Sequence, residues 1–359
     1  MKKIVCAVLV FLSLLPLSAA GAVNAKSAIV LDGLTGAVYF ELNADEQLPM
    51  ASTTKIMTAI VTIELGDLDR EYEVKREYTL VEGTSMSLRE GERLTIRDTL
   101  WGLLMLSGND AALALAGEGG GMENFVAKMN AKAHELGLEN THFDNPHGLD
   151  SEGHYTTARE LALLAAYALR DETFREIVSS TSHSAAGRSM TNHNKLLRTY
   201  DGACGVKTGY TRRAGRCLVS AAERSGRRIV VVTLNDPDDW KDHAELLDLG
   251  FSKFEERPLQ TAGCEVGACT VYGGVPETVP LLAGETLTAW LADGEQPQVV
   301  LHGPHFTYAP VFGSAYFGRI EYRLGGETLA EGQVAYGADS ARAAEKKSLW
   351  ERIREWLFG

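Results

Sequence analysis

Apolar positions outline most of the elements. Ser27 to Leu31 and Ala37 to Leu42 are strand-like runs, and Asp32-Gly33-Leu34-Thr35-Gly36 between them has turn chemistry. Past Pro49, residues Ile56, Met57, Ile60, Val61 and Leu65 recur at helical spacing and predict a helix with one apolar side. Residues 70–94 are polar with short β-like pieces. Thr95 then opens a strongly apolar helix through Leu106, with Asp98 in its first turn. A further helix runs from about Met122 to Leu136 and stops at Gly137. Another starts near Thr157, where Glu160 three residues on completes a capping box.

Strands follow at Gly205 to Tyr210, Arg216 to Glu223 and Ile229 to Leu234, and helical signal returns around Trp240 to Phe254. Strand, many helices, strands and a helix make a mixed α/β (α+β) architecture with an antiparallel sheet flanked by helices. From about Gln260 short β runs alternate with Gly- and Pro-bearing turns, among them Cys269 to Tyr272, Gln298 to Leu301, Arg319 to Leu324 and Gln333 to Tyr336. They predict a small all-β domain, sandwich-like in kind. At the end of the chain Leu349, Trp350, Ile353, Trp356 and Leu357 share one helical face, with Glu351, Arg352, Arg354 and Glu355 opposite. Such a helix suits the surface of a bilayer.

The N-terminus has a different pattern again. Lys2 and Lys3 precede an apolar stretch, Ile4 to Leu17, and then small residues with possible cleavage sites at Ala20-Gly21-Ala22 and Val23-Asn24-Ala25. This reads as a secretory signal peptide, too short in its apolar run for a membrane span. The expected organisation is therefore 1–25 signal, 26–257 first domain, 258–338 β domain, and 339–359 linker and amphipathic helix.

Composition adds three points. The 359 residues are more than one ordinary core needs. The net charge of −13 becomes −15 without residues 1–25, leaving 33 basic against 48 acidic side chains, which disfavours a nucleic-acid partner. Cys204, Cys217, Cys264 and Cys269 remain in the exported chain. Proximity in sequence favours Cys204–Cys217 and Cys264–Cys269 disulfides, with buried free thiols as the equal alternative. No Cys or His cluster has metal-ligand spacing, so no metal and no cofactor is implied.

Three short motifs bear chemistry. In Ser52-Thr53-Thr54-Lys55 the serine and lysine are i and i+3 on one helix face, with the serine at the helix's positive end. A neutral lysine can activate a serine, and burial or a second nearby cation depresses its pKa. Ser107-Gly108-Asn109 follows the apolar helix and can present a hydroxyl and an amide into a cleft, although the same residues also make a good turn. Lys207-Thr208-Gly209, followed by Tyr210, lies in a strand whose edge can take up a peptide, with Lys207 and Thr208 placed to bind a carboxylate. Each motif is modest alone.

In this order and on these elements they resemble the SxxK, SxN and KTG set of penicillin-binding proteins and serine β-lactamases over about residues 26–255. The runs 48–58, 141–149 and 154–159 are more similar still to the low-molecular-mass D-alanyl-D-alanine carboxypeptidases, peptidase family S11. The resemblance implies a serine β-lactamase/penicillin-binding transpeptidase-like fold and an acyl-enzyme on Ser52. It implies Lys55 as base, Ser107 as proton relay and Asn109 holding the substrate backbone. Lys207, Thr208 and Gly209 then line the substrate, with the N–H groups of Ser52 and Tyr210 as oxyanion hole. The implied partners are peptidoglycan stem peptides ending in D-Ala-D-Ala, β-lactams as covalent inhibitors, and the outer face of the cytoplasmic membrane. Asn145, Pro146, His147, Gly148 and His154 read as structural, and His193 as a possible cleft residue. Rival readings are a β-lactamase, for which Glu160-Leu161-Ala162-Leu163-Leu164 lacks the expected asparagine, a non-catalytic wall-binding protein, and an endopeptidase acting on cross-links.

Overall fold

The computed structural model describes residues 23–344 and 349–358. The expected signal segment lies outside them up to residue 22, as do the side chains of Leu349, Ile353, Glu355 and Leu357 on the C-terminal helix.

A five-stranded antiparallel sheet organises the first region. Its strands are β1 (Ser27–Asp32), β2 (Val38–Leu42), β3 (Ala203–Thr211), β4 (Gly215–Arg224) and β5 (Arg227–Leu234), in the spatial order β2-β1-β5-β4-β3. Both faces are covered. Val230 and Val232 join a core with Ile29 and Leu31 on one side, while Ile229 and Val231 join Val30 and Leu218 on the other. This explains why β5 is a continuous apolar run although the sheet is antiparallel.

The larger core is made by helices α1 (Lys55–Leu65), α2 (Ile96–Met105), α3 (Asn109–Glu118), α4 (Met122–Glu135), α5 (Ala158–Ala168) and α6 (Glu172–Ser179). On the opposite face, α7 (Asp239–Phe251) covers β4 and β5. α1 is buried on all sides through Thr62, so it is a central helix and not a one-sided one; Leu65, expected on its apolar side, is 45% exposed. The Ala-rich α3 was not visible in the periodicity, because its small side chains are buried all round. Thr95 caps α2 in a full capping box with Asp98. At α5 only half the expected box forms. Thr157 accepts from Glu160 N–H, but the Glu160 carboxylate turns away to Asn140 N–H and the Thr141 hydroxyl.

The C-terminal region contains β6 (Phe254–Gln260), β7 (Glu265–Tyr272), β8 (Thr278–Ala283), β9 (Leu287–Ala292), β10 (Gln298–His302), β11 (Phe306–Tyr308), β12 (Tyr316–Leu324) and β13 (Glu327–Tyr336). Six of them form one sheet, ordered β10-β12-β13-β8-β7-β11, and β6 pairs separately with β9. Leu259 and Leu287 of that pair pack onto the core of the larger sheet. The expected linker begins later than residue 339, because Ser340 pairs with Val311 and Ala341–Arg342 pair with Gly274–Val275. The final helix, α8 (Leu349–Phe358), exposes Trp350 and Trp356. Among the described residues no helix is long and apolar enough to cross a membrane.

The four cysteines 204, 217, 264 and 269 are free thiols, so neither favoured disulfide is formed. Burial pushes the Cys204 thiol up to about 11 and the Cys217 thiol up to about 12, which leaves both protonated and inert at neutral pH.

Candidate active site

Ser52 lies on a 3₁₀ turn, Ala51–Thr54, that runs directly into α1, so Lys55 is the first α-helical residue and stands one turn from it. The Lys55 amine donates to Asn109 Oδ1 (2.7 Å) and the His147 carbonyl (2.6 Å), and it lies in hydrogen-bond contact with Ser52 Oγ (2.9 Å). All three partners are uncharged. Lys55 is fully buried, and its pKa falls well below the ordinary lysine value through burial and the nearby Lys207 ammonium, against a smaller opposing pull from Asp110. A buried amine of lowered pKa beside a serine hydroxyl has the placement that a general base requires.

The segment 145–148 builds one side of this arrangement. Asn145 Oδ1 accepts from the N–H groups of His147 and Gly148, which turns the His147 carbonyl toward Lys55. Gly148 has φ +89°, and a Cβ there would stand 2.0 Å from the Ala51 carbonyl oxygen, so only glycine fits. Asp144 N–H donates to His154 Nδ1, so His154 Nε2 carries the proton and donates to the Thr54 hydroxyl, which in turn donates to Ala51 O. Buried in this way, His154 is held near a pKa of about 4, and it is a satisfied structural histidine, as expected.

Ser107 occupies the left-handed position just past α2, with φ +59°, and lines the cleft. Asn109 opens α3 and uses its side chain twice, accepting from Lys55 and donating to Glu82 O (2.7 Å). Its neighbour Asp110, which no sequence motif marks, is buried and accepts from Ser85 Oγ, Met86 N–H and Leu88 N–H. It thereby folds the 82–88 loop against the SxN motif and brings Gly83 and Thr84 to the cleft.

β3 brings in the third motif. A Cβ on Gly209 would lie 3.0 Å from Ser52 N and 3.2 Å from Met50 O, so this strand glycine permits the close approach of the two motifs. Lys207 is buried with its amine on Thr208 O (2.8 Å), and burial lowers its pKa to about 7. Tyr210 is 66% exposed at the cleft rim. The cleft has a volume of about 590 Å³. It also takes in His193, as read from the sequence, and Lys195, Arg216, Asp239 and Trp240, which were not. Arg216 pairs with Asp239 through both carboxylate oxygens (2.7 and 2.8 Å), and Lys195 and Arg216 lie over the Trp240 ring. Only tertiary structure assembles these from residues 195, 216 and 239–240, so no local pattern marks them.

Away from the cleft, a serine–histidine contact joins Ser220 Oγ and His243 Nδ1 at 2.6 Å. Both residues are fully buried between β4 and α7, and Thr233 closes the other ring nitrogen, so it is a structural pair. No group of three or more metal-ligating side chains occurs among the described residues.

The solved structures similar to this chain share its fold. Penicillin binding protein 5 of Haemophilus influenzae aligns with a TM-score of 0.64 at 28% identity, over 90% of this chain and 99% of that one. A Streptomyces DD-transpeptidase aligns with a TM-score of 0.62 at 32% identity, over 65% of this chain and 98% of that one. These are penicillin-binding and transpeptidase folds, the class to which the helices and antiparallel sheet described above conform. The sequence model of the D-alanyl-D-alanine carboxypeptidases, peptidase S11, matches residues 16–238. D-alanyl-D-alanine carboxypeptidase DacF of Bacillus subtilis is 31% identical over 93% of this chain and 90% of its own length, and DacC of Escherichia coli is 31% identical over 87% and 83%. The chain belongs to the D-alanyl-D-alanine carboxypeptidase family and is a hydrolase of the serine-peptidase kind.

Proposed function

We propose that the protein removes the terminal D-alanine from peptidoglycan stem peptides ending in D-Ala-D-Ala, through an acyl-enzyme on Ser52. The observation that carries this is the buried Lys55 amine, its pKa well below the ordinary lysine value, 2.9 Å from the Ser52 hydroxyl. Ser52 Oγ attacks the carbonyl between the two D-alanines while its proton passes to Lys55. The tetrahedral oxyanion rests against the N–H groups of Ser52 and Tyr210, a contact worth about 3–4 kcal/mol per donor. The C–N bond breaks as Ser107 relays a proton to the departing amine of D-alanine. Water then attacks the ester, giving its proton back through Lys55, and releases the shortened peptide. Asn109 holds the substrate backbone and Lys55 together, and Lys207 and Thr208 bind the terminal carboxylate. A β-lactam, whose strained amide mimics the scissile bond, forms the same ester and stays.

The polypeptide is exported through its N-terminal segment and held at the outer face of the cytoplasmic membrane by α8. Supporting this are the exposed tryptophans at both ends of that helix and the arginines between them. A chain ending at Ala344 should stay in solution, while the full chain pellets with phospholipid vesicles; equal pelleting removes the helix as anchor.

The function is tested by D-alanine release from a peptide ending in Lys-D-Ala-D-Ala. One D-alanine per peptide, absent with Ser52→Ala, is expected. A folded wild-type protein that releases none, or a Ser52→Ala protein still labelled by penicillin, overturns the assignment.

A further inference from the structure

The end of the β-rich region where the chain departs toward α8 is aromatic and exposed, and its charged side chains include Asp339, whose carboxylate accepts from Gly313 N–H beside Phe312, and Arg342. Ala341–Arg342 pair with Gly274–Val275, Ala343 N–H donates to Gly273 O (2.7 Å), and Ser340 pairs with Val311. Among the described residues, the last backbone contacts before α8 therefore lie beside Tyr272, Val275 and Phe312. Edge strand β11 runs parallel to β7 and sets Tyr308 beside Tyr272. The rings of Tyr272, Phe306 and Tyr308 contact one another with centroids 5.1, 5.8 and 6.1 Å apart. Yet Tyr272 is 55% exposed, Val275 63%, Tyr308 69% and Phe312 67%. Large apolar groups scattered singly over a surface need no explanation, but a contiguous group marks a contact.

The charge pattern singles out the same end. The chain is 23% charged with a net charge of −13. Residues 296–318 contain no Asp, Glu, Lys or Arg, where about five are expected at ordinary charge content. Residues 266–276 contain none either. An acidic protein is repelled by an anionic lipid surface, and the repulsion is weaker where acids are few, as in these two stretches, which Asp339 meets at Gly313 N–H. Tyrosine, with an apolar body and a polar tip, suits the water–lipid boundary, as do the tryptophans of α8.

We propose that Tyr272, Val275, Phe306, Tyr308 and Phe312 form a second membrane contact, lying in the lipid headgroup layer beside the point where the tail enters it. The occupant of this face is the lipid surface. A body tethered by one helix pivots about the tether; a second contact restricts its tilt and holds the cleft in a fixed orientation to the bilayer. The proposal rests on the reading of α8 as the membrane helix.

The test uses the mature full-length protein and vesicles of equimolar phosphatidylethanolamine and phosphatidylglycerol. Tyr308→Asp/Phe312→Asp should weaken partitioning at least about tenfold, as expected for losing part of two buried aromatic rings. Val299→Asp/Leu301→Asp is the control. It adds the same charge at exposed apolar positions on β10, the opposite edge of the same sheet, and should partition within about twofold of wild type. D-alanine release from a soluble peptide reports that both variants are folded. Wild-type protein that does not bind vesicles overturns the tail reading and this proposal with it. Tight wild-type binding with no loss in Tyr308→Asp/Phe312→Asp leaves the tail as anchor and overturns only the aromatic face. Equal loss in both variants assigns the effect to charge alone, and loss of binding to purified peptidoglycan with unchanged vesicle binding assigns the face to glycan; either overturns the proposal.

Discussion

Two of the sites that bury cations in this molecule are built in opposite ways. Arg227, on β5, is fully buried and contacts the Asp32 carboxylate, while both its Nη atoms reach Glu295 (2.7 and 2.8 Å) and its guanidinium stacks on Phe254 at 4.3 Å. Asp32 lies on β1 and Glu295 beyond β9, so this ion triad ties the central sheet to the β-rich region. Lys55 and Lys207 are buried as deeply, yet each meets only neutral oxygen acceptors. The one acid nearby, Asp110, has its carboxylate oxygens engaged by Ser85, Met86 and Leu88. Where carboxylates compensate a buried cation, charge is retained and joins structure. Where they are withheld, the amine's pKa falls, and a lowered pKa is what frees a lysine to act as a base.

Neutralising each cation in turn separates the two designs. Lys55→Met should lower the rate of penicillin acylation by at least about 10²-fold, the ordinary worth of a general base. Its thermal midpoint should fall less than that of Arg227→Met. The latter leaves two buried carboxylates uncompensated and should cost about 3–5 kcal/mol in denaturant unfolding, with acylation per folded molecule unchanged. A Lys55→Met protein that acylates at the wild-type rate, or an Arg227→Met protein of wild-type stability, breaks the comparison.

Gly148→Ala acts on the geometry around Lys55 and not on its charge. The added Cβ meets Ala51 O, and displacing Ser52 by an ångström should cost about 10²-fold in acylation, read as slower penicillin labelling in a protein that still unfolds cooperatively. The smallest expected effect concerns Lys207. Its pKa near 7 means the free enzyme loses the ammonium as pH rises through neutrality, so affinity for a carboxylate-bearing ligand should fall above pH 7. Lys207→Arg stays charged and should flatten that fall, seen as a KM ratio between pH 6 and pH 9 of about one against about tenfold in the wild type. The stability signature has its own sign. Between about 7 and the ordinary lysine range the unfolded chain binds the proton and the folded chain does not, so folding is stabilised as pH rises through that window.

The chemistry was legible in the sequence because it is packed into three short runs whose internal spacing survives folding. Ser52 and Lys55 sit one turn apart, and Lys207 to Tyr210 lie in one strand. The strands β1 to β5 were legible for a similar reason, since each is bounded by Gly or polar turns. Asp110 was not: an acid in a first helical turn looks like ordinary capping, and its real partners are backbone groups at residues 86 and 88. Glu160 shows the converse, a capping pattern whose carboxylate went to a better use at Asn140 and Thr141. Arg216, Asp239 and Trp240 meet only after β4 and α7 have packed, and the free cysteines show that nearness in sequence does not orient two thiols.

The most direct test of the central claim is the pH dependence of Ser52 acylation by a neutral β-lactam ester, which has no carboxylate for Lys207 to bind. A Lys55 amine whose pKa is held well below the ordinary lysine range predicts a rate that levels off below that range and falls on the acid side. A rate that keeps climbing into the ordinary lysine range, about 10.4, would mean that the base has an ordinary lysine pKa and that burial does not tune Lys55.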